Sequence, residues 1–221
     1  SPLERPYRLF ILRLVRKASC RQHHGKFRVL KRLEKHELIL ARLKSPNAQD
    51  KVTHSIGPLK NSPTKIREEA TKRDIKAVVI FLGPNDPWDI TEDKKRYVFP
   101  SQEWEDKYRA RVVEVLQFAA DRKMRIVWIG LPAMKNDRVR RGAVIQNRVF
   151  REECMRFGFD YLDTEEFLGR LDQPFNKYIP DEKKGQVLVR ADDGTHFTPY
   201  GLRLIAGRLL SILDQRQQRQ G

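Results

Sequence analysis

Two short polar stretches, far apart in the chain, carry the residue types that acyl-transfer chemistry uses. Residues 81–90 end an apolar run with Gly-Pro-Asn-Asp-Pro, and residues 192–200 read Asp-Asp-Gly-Thr-His-Phe-Thr-Pro-Tyr. An Asp three residues before a His can hold imidazole Nδ1, which leaves Nε2 free to take a proton from a nucleophile. An Asn side chain offers N–H donors to a developing oxyanion. Together the two stretches predict half of an acyl-transfer site.

The second stretch leaves two alternatives open. His196 fits the base and Asp193 the acid that orients it, but Asp192 is a competing carboxylate that the sequence alone does not eliminate. The same residues also fit an exposed Asx-turn that leads into a helix and has no catalytic role.

The first stretch also has two interpretations. Gly83 permits close backbone approach of a substrate, and Asn85 can donate to an oxyanion, if both lie at the carboxyl end of a parallel strand. Otherwise Pro-Asn-Asp-Pro is a simple turn. Trp88 is predicted either to line a substrate cleft or to anchor the loop by burial.

The elements around these stretches follow a β-α-β-α-β rhythm. Continuous apolar runs predict buried strands at Ala77–Leu82 and Arg125–Gly130, and a short strand at Phe159–Leu162. Between the first two strands, apolar residues at helical spacing predict a helix from Ser101 to about Arg122. A polar helix is predicted around Arg138–Phe157, before the third strand. This rhythm predicts right-handed crossovers and a single α/β domain with a doubly wound parallel sheet.

The last part of the chain carries a strong helix start. Thr198 is predicted to be the N-cap and Pro199 the first helical residue of a helix that reaches Asp214. Gln186–Val189 is predicted to be a short hairpin strand, and Gln215–Gly221 a polar tail.

Charge is concentrated at the start of the chain. The 221 residues carry a net charge of +16, and residues 1–50 hold 13 Lys and Arg against 4 Asp and Glu. Such an excess favours anionic partners, and a basic nucleic-acid binder is one alternative. However, the segment lacks interleaved aromatic residues and a known binding motif, so nucleic acid is the less favoured partner. Residues 1–50 are treated as a basic segment of uncertain structure.

The sequence disfavours several other classes of protein. Cys20 and Cys154 form neither a disulfide framework nor a metal-ligand spacing, and no phosphate-binding Gly-rich loop occurs. No run approaches the ~20 apolar residues of a membrane span. Tyr7–Val15 is interrupted by two arginines and does not resemble a signal peptide, although the chain starts at Ser1 and an upstream leader is compatible with that start.

The two polar stretches resemble blocks of the SGNH/GDSL hydrolases. Residues 83–86 (Gly-Pro-Asn-Asp) are similar to the Gly-x-Asn-Asp block, and residues 193–196 (Asp-Gly-Thr-His) to the terminal Asp-x-x-His block, as in a bacterial cell-envelope branch. The resemblance implies a flavodoxin-like three-layer α/β sandwich over about 55–213. It implies that Asn85 is an oxyanion donor, and that Gly57 in Ser-Ile-Gly supplies a second.

The same resemblance carries expectations about activity. It implies His196 as base, Asp193 as its orienting acid, no metal or organic cofactor, and an O-acyl or O-acetyl ester on a cell-envelope glycan as substrate. Periplasmic or cell-envelope localisation would follow.

One block of the family is not found. Residues 1–54 contain no Gly-Asp-Ser, the family's nucleophile block, and Ser19 is the nearest positional substitute, without the neighbouring Gly and Asp. We consider three explanations: a truncated first block, a basic N-terminal segment translated out of frame, or a protein whose nucleophile has been lost. The third predicts a catalytically silent glycan-binding protein that keeps the fold and the cleft.

Overall fold

The computed structural model describes the backbone of residues 9–13, 52–55, 64, 66–68, 75 and 77–218, and the side chains of those between 64 and 213. In chain order the strands and helices of this part are β1 (Leu9–Arg13), β2 (Val52–Ser55), β3 (Ala77–Phe81), β4 (Ile90–Glu92), β5 (Lys95–Tyr97), α1 (Gln102–Asp121), β6 (Arg125–Ile129), α2 (Asp137–Phe157), β7 (Asp160–Leu162), α3 (Glu165–Leu168), β8 (Tyr178–Asp181), β9 (Gly185–Leu188) and α4 (Pro199–Gln218).

Five of these strands form one sheet in the order β2-β1-β3-β6-β7, and every pair is parallel. The chain leaves β1 for the edge strand β2, then returns to the other side of β1 with β3. The strand order therefore reverses between β1 and β3, and this reversal places a crevice at the carboxyl ends of those strands. Arg13 at the end of β1 is level with Ser55 on one side and Phe81 on the other.

Helices cover both faces of the sheet. Val78 and Ile80 of β3 point into a core shared with α1 and α2, whereas Val79 between them points into a core shared with α4. The β3 run is apolar without a break because side chains alternate between two buried faces. The expected flavodoxin-like three-layer sandwich is confirmed.

The helices begin and end where the sequence provides caps. Ser101 Oγ accepts a hydrogen bond from the backbone N–H of Trp104 at 3.2 Å, and Asn136 Oδ1 accepts one from Val139 at 3.1 Å. Gly158 ends α2 in the left-handed conformation, with φ 71°. Thr198 Oγ1 accepts from the N–H of Gly201 at 3.2 Å, as expected for the N-cap of α4.

The structure also contains elements that the sequence patterns did not indicate. The antiparallel hairpin β4–β5 follows the Asn85 loop. The predicted hairpin strand at Gln186–Val189 is observed as β9, and it pairs antiparallel with β8, which was not predicted. The last helix continues to Gln218, beyond the predicted end at Asp214. Strand β1 falls within the basic segment 1–50 and pairs on both sides with later strands, so that segment contributes one strand to the sheet. No helix in the described part of the chain has the length and hydropathy of a membrane span.

Replacing Phe150 tests how closely α2 packs on the sheet. Its ring is fully buried and stacks on Trp128 with ring centroids 4.6 Å apart. We expect Phe150→Ala to lower the free energy of unfolding by about 3–5 kcal/mol, because it leaves a cavity in a packed core. Met155 on the same helix is 76% exposed, and Met155→Ala should change the free energy by no more than about 0.5 kcal/mol. Urea denaturation of both variants measures this, and equal losses would contradict the described packing.

Candidate functional site

The loop before α4 joins the predicted base to one of the two candidate acids. His196 Nδ1 lies 2.5 Å from Asp193 Oδ2. The other oxygen, Asp193 Oδ1, accepts hydrogen bonds from the backbone N–H groups of Thr195 and His196, each at 2.9 Å. The carboxylate therefore closes an Asx-turn and orients the imidazole at the same time, so the two interpretations of this stretch are compatible.

Asp192 is turned to a different partner. Its Oδ1 accepts a hydrogen bond from Lys177 Nζ at 2.7 Å, and its side chain is fully exposed. This contact lowers the pKa of Asp192. Asp193, rather than Asp192, is therefore the carboxylate in contact with the imidazole.

The contacts around Asp193 favour its ionised form. Partial burial acts to raise the pKa of Asp193, but the hydrogen bonds from the His196 side chain and from the backbone N–H groups of His196 and Thr195 outweigh burial. The result is a pKa of about 2. The Asp193 carboxylate is therefore charged at neutral pH. This is the state required of an acid that orients the imidazole without taking its proton.

The shape of this loop depends on a glycine. Gly194 has φ 69°, and a Cβ there would lie 2.2 Å from Lys135 Cβ. The backbone N–H of Lys135 also donates to the Gly194 carbonyl at 3.3 Å. The loop therefore packs directly on the segment that follows β6.

The second predicted loop follows β3 and forms a turn over residues 83–86. The N–H of Asp86 donates to the Gly83 carbonyl at 2.9 Å, with Pro84 and Asn85 at the two central positions. Gly83 has φ 136°, and a Cβ there would lie 2.7 Å from Leu131 Cδ1. Gly83 is needed for this conformation and for close packing against the residue that follows β6. The turn thus exists, and Asn85 stands at its tip.

A buried polar network fixes the base of this turn. Tyr108 Oη donates to Asp86 Oδ2 at 2.9 Å, and Gln146 Nε2 contacts both Tyr108 Oη at 3.0 Å and the Gly83 carbonyl at 2.8 Å. Burial and the Asp86 carboxylate raise the pKa of Tyr108 well above its ordinary value. Asn85, by contrast, is exposed and its side chain has no partner among the described residues. The network holds the turn while its amide side chain stays available.

Trp88 presents its ring outwards and is anchored by its backbone. The residue is 47% exposed, and its carbonyl accepts a hydrogen bond from Trp104 Nε1 at 2.7 Å. The guanidinium of Arg138 lies 5.3 Å from the Trp88 ring centroid, and its Nε donates to the Pro87 carbonyl at 2.7 Å. The expectation of a buried ring is therefore wrong for Trp88, because the hydrogen bond to the loop backbone supplies the anchor instead.

Both loops contact the segment that follows β6. Leu131 packs behind Gly83, and Lys135 packs against Gly194. In addition, the ring of Phe81 at the end of β3 lies 5.6 Å from that of Phe197, the residue after His196. The turn that carries Asn85 and the loop that carries His196 therefore lie at the same carboxyl edge of the sheet.

Two other candidate residues fall outside the described residues. Gly57 comes two residues after the end of β2, and Ser19 comes six residues after the end of β1. The structure therefore provides no position for the second oxyanion donor or for a nucleophile. Among the residues that it does describe, no group of His, Cys, Asp and Glu could hold a metal ion.

One charged residue at this site was not singled out from the sequence. Arg190 is fully buried beneath the His196 loop. A single arginine among 45 basic residues carries no sequence signal of its own. Only the packing of the loop distinguishes it.

The strand order and the position of the two loops match the fold of the SGNH/GDSL hydrolases, and solved structures support this fold. A GDSL-like lipase from Bacteroides thetaiotaomicron aligns with TM-score 0.60 at 13% identity, covering 94% of this chain and 87% of the lipase. An acetylxylan esterase from Geobacillus stearothermophilus, solved as a catalytic mutant, aligns with TM-score 0.58 at 16% identity, covering 92% and 91%. The acetyl xylan esterase AlAXEase aligns with TM-score 0.56 at 14% identity, covering 92% and 98%.

Residues 59–212 match the family model described as "Protein of unknown function (DUF459)". The match spans more than half of the chain, and the protein therefore belongs to this family. A search of the curated proteins found no match.

Gly83→Ala tests the turn that carries Asn85. Gly169 is a matched control, because it also has a positive φ of 104° but no atom within 4 Å of a Cβ. We expect Gly169→Ala to cost about 1–3 kcal/mol of backbone strain. Gly83→Ala should cost about 1–3 kcal/mol more, because Leu131 is fully buried and cannot move away freely. Thermal unfolding compares the two variants, and an equal cost would contradict the close packing at Gly83.

The hydrogen bond from His196 predicts how Asp193 titrates. In the wild type its carboxyl should titrate near pH 2, and in His196→Gln at a higher pH. Since the folded pKa lies below the ordinary value of 3.8, Asp193 stabilises the fold above that pH and loses the contribution as the pH falls through about 2. Carboxyl NMR measures both titrations. Asp172, whose pKa is lowered by Arg170, is the control and should not respond. An unchanged Asp193 would refute the prediction.

Proposed function

We propose that this protein hydrolyses or transfers an ester-linked acyl group. The observation that carries the proposal is the His196–Asp193 hydrogen bond at the sheet edge that also holds the exposed Asn85. An ionised carboxylate on Nδ1 fixes the tautomer in which Nε2 accepts a proton. The His196 side chain is 42% exposed, so a substrate can reach the ring.

In the proposed reaction His196 removes the proton of a hydroxyl nucleophile, which attacks the ester carbonyl. The carbonyl oxygen becomes negatively charged, and the Asn85 side-chain N–H group donates to it. His196 then passes the proton to the leaving alcohol, and Asp193 stabilises the imidazolium between these steps. A water molecule completes hydrolysis of the acyl-enzyme, or an acceptor alcohol completes transfer.

We expect the nucleophile from the residues that follow β1 in the sequence. The carboxyl end of β1 lies beside that of β3, where the strand order reverses and from which the Asn85 turn leaves the sheet. Ser19 remains the candidate there, and Gly57 after β2 remains the candidate for a second oxyanion donor.

For the substrate we propose an O-acylated glycan of the cell envelope. Two of the similar structures are described as acetylxylan esterases. Gly83 begins the turn that holds Asn85, and Trp88 follows that turn by two residues. The exposed Trp88 ring offers an apolar face for a sugar ring close to the site. The proposed reaction uses no metal or organic cofactor. The proposed location of the protein is the periplasm or the cell envelope.

A catalytically silent glycan-binding protein is the second candidate. It is favoured by the absence of Gly-Asp-Ser from residues 1–54. Such a protein would keep the cleft and the exposed Trp88 but would not form an acyl-enzyme.

Substitutions at the site test the proposed enzyme. With a chromogenic acetyl ester, we expect His196→Ala to lower kcat by about 10²–10⁴-fold, because the general base is lost. Asp193→Asn should lower kcat as well, whereas Asp192→Asn should leave it unchanged because Asp192 contacts Lys177. Reaction with a fluorophosphonate probe followed by peptide mapping identifies the nucleophile. A wild-type protein that shows neither turnover nor labelling, yet binds glycan, would favour the silent alternative.

A further inference from the structure

Arg190 holds both residues that flank His196. It comes two residues after β9, and its side chain is fully buried beneath the loop. Its Nη1 donates to the carbonyl of Thr195 at 3.3 Å, and its guanidinium lies 4.2 Å from the centroid of the Phe197 ring. The backbone of Arg190 also forms an antiparallel bridge with Phe197. The residue before His196 and the residue after it therefore both contact this one side chain.

The same guanidinium joins this loop to the segment after β6. Its Nη2 donates to the carbonyl of Ala133 at 2.5 Å and lies 3.0 Å from Met134 Sδ. That segment also supports the Asn85 turn through Leu131. Arg190 thus connects the predicted base to the part of the structure that supports the predicted oxyanion donor.

This arginine is a buried cation without a carboxylate in hydrogen-bond contact among the described residues. Its polar partners are two carbonyls and a thioether, and its Nε has none. Burial lowers the pKa of Arg190 to about 10, and the charge of Asp193 limits that decrease. Since the group is still a cation at neutral pH, it gives the Asp193 carboxylate a nearby positive charge. A buried charge without a paired partner is costly, which argues that it does more than fill space.

We propose that Arg190 is the positioning residue of the His196–Asp193 pair: it fixes the backbone on both sides of the imidazole and supplies a buried positive charge to its acid. This inference rests on the proposed function, because it gives Arg190 the role of positioning His196, the proposed base. Arg190 acts through Thr195, Phe197 and Asp193 and does not itself touch the reacting atoms.

An arginine is suited to this place by its shape. The planar guanidinium carries donors in several directions, so it can reach two carbonyls while its face lies on an aromatic ring. A lysine supplies the charge from a single point and cannot make these contacts together. Arg190→Lys therefore separates the charge from the geometry, and Arg190→Met removes both.

The test follows the NMR resonance of the His196 Nδ1 proton. This resonance lies at low field while the proton is hydrogen-bonded to Asp193. It is identified by its disappearance in His196→Gln. In Arg190→Met we expect this resonance to be lost or to move to higher field, and in Arg190→Lys to be partly retained. Arg140→Met, which removes a surface arginine paired with Asp137, is the control and should leave it unchanged. Where turnover is measurable, kcat should fall by about 10²-fold in Arg190→Met with a smaller change in KM, as for a displaced catalytic group.

A second measurement covers the case in which the Arg190 variants do not fold. In a His196→Gln background, Asp193→Asn should lower Tm more than Asp192→Asn, because it removes the negative charge that favours the Arg190 cation. Equal shifts would overturn the proposal.

The outcomes separate this inference from the proposed function. A folded Arg190→Met protein with the wild-type resonance overturns the role of Arg190 and leaves the proposed hydrolase intact. A wild-type protein without a resonance that depends on His196 contradicts the His196–Asp193 contact itself and overturns both proposals.

Discussion

The parallel pairing of β3 between β1 and β6 is the constraint on which the rest of the structure depends. Because the strands run in one direction, every loop that leaves a carboxyl end emerges at one edge of the sheet. The Asn85 turn leaves β3 there, and the segment that begins with Gly130 leaves β6 beside it. The His196 loop belongs to no strand of this sheet. It reaches the same edge because α4 packs its apolar side chains on Val79, Val127 and Ile129.

Buried polar contacts then hold the Asn85 turn and the His196 loop in place. Tyr108 and Gln146, from two different helices, hold Asp86 and the Gly83 carbonyl. Arg190 holds the loop that contains His196 in a comparable way. In both places the supporting groups are buried while the side chains proposed to react, Asn85 and His196, stay accessible. This division is what a preorganised site requires, since the reacting groups need both a fixed position and access to substrate.

Much of the fold could be predicted because its strongest signals are local. Ala77–Phe81 and Arg125–Ile129 are uninterrupted apolar runs, which is how a strand buried on both faces appears in a sequence. The helices α1 and α2 have caps and apolar residues at helical spacing. The hairpin β4–β5 could not be predicted in the same way. Each of its strands is three residues long and mostly polar, so it has no pattern to distinguish it from a loop.

For the candidate site, the sequence predicted which types of residue carry the chemistry. Asp and His at a spacing of three, and an Asn after a buried strand, indicated the chemistry. The choice between Asp192 and Asp193 was not local, because it depends on Lys177 holding the first of them. The anchoring of the Trp88 backbone depends on a hydrogen bond from Trp104, sixteen residues further along the chain.

The sequence by itself determined the parallel α/β class, the limits of most helices and the residues proposed as base and amide donor, because each of these depends on patterns within about twenty residues. The tertiary structure alone decided which carboxylate meets the imidazole, which arginine lies buried beneath it, and that both loops share one edge. Those facts depend on particular side-chain contacts rather than on residue patterns, and such contacts form only when the sheet, its loops and its covering helices pack together.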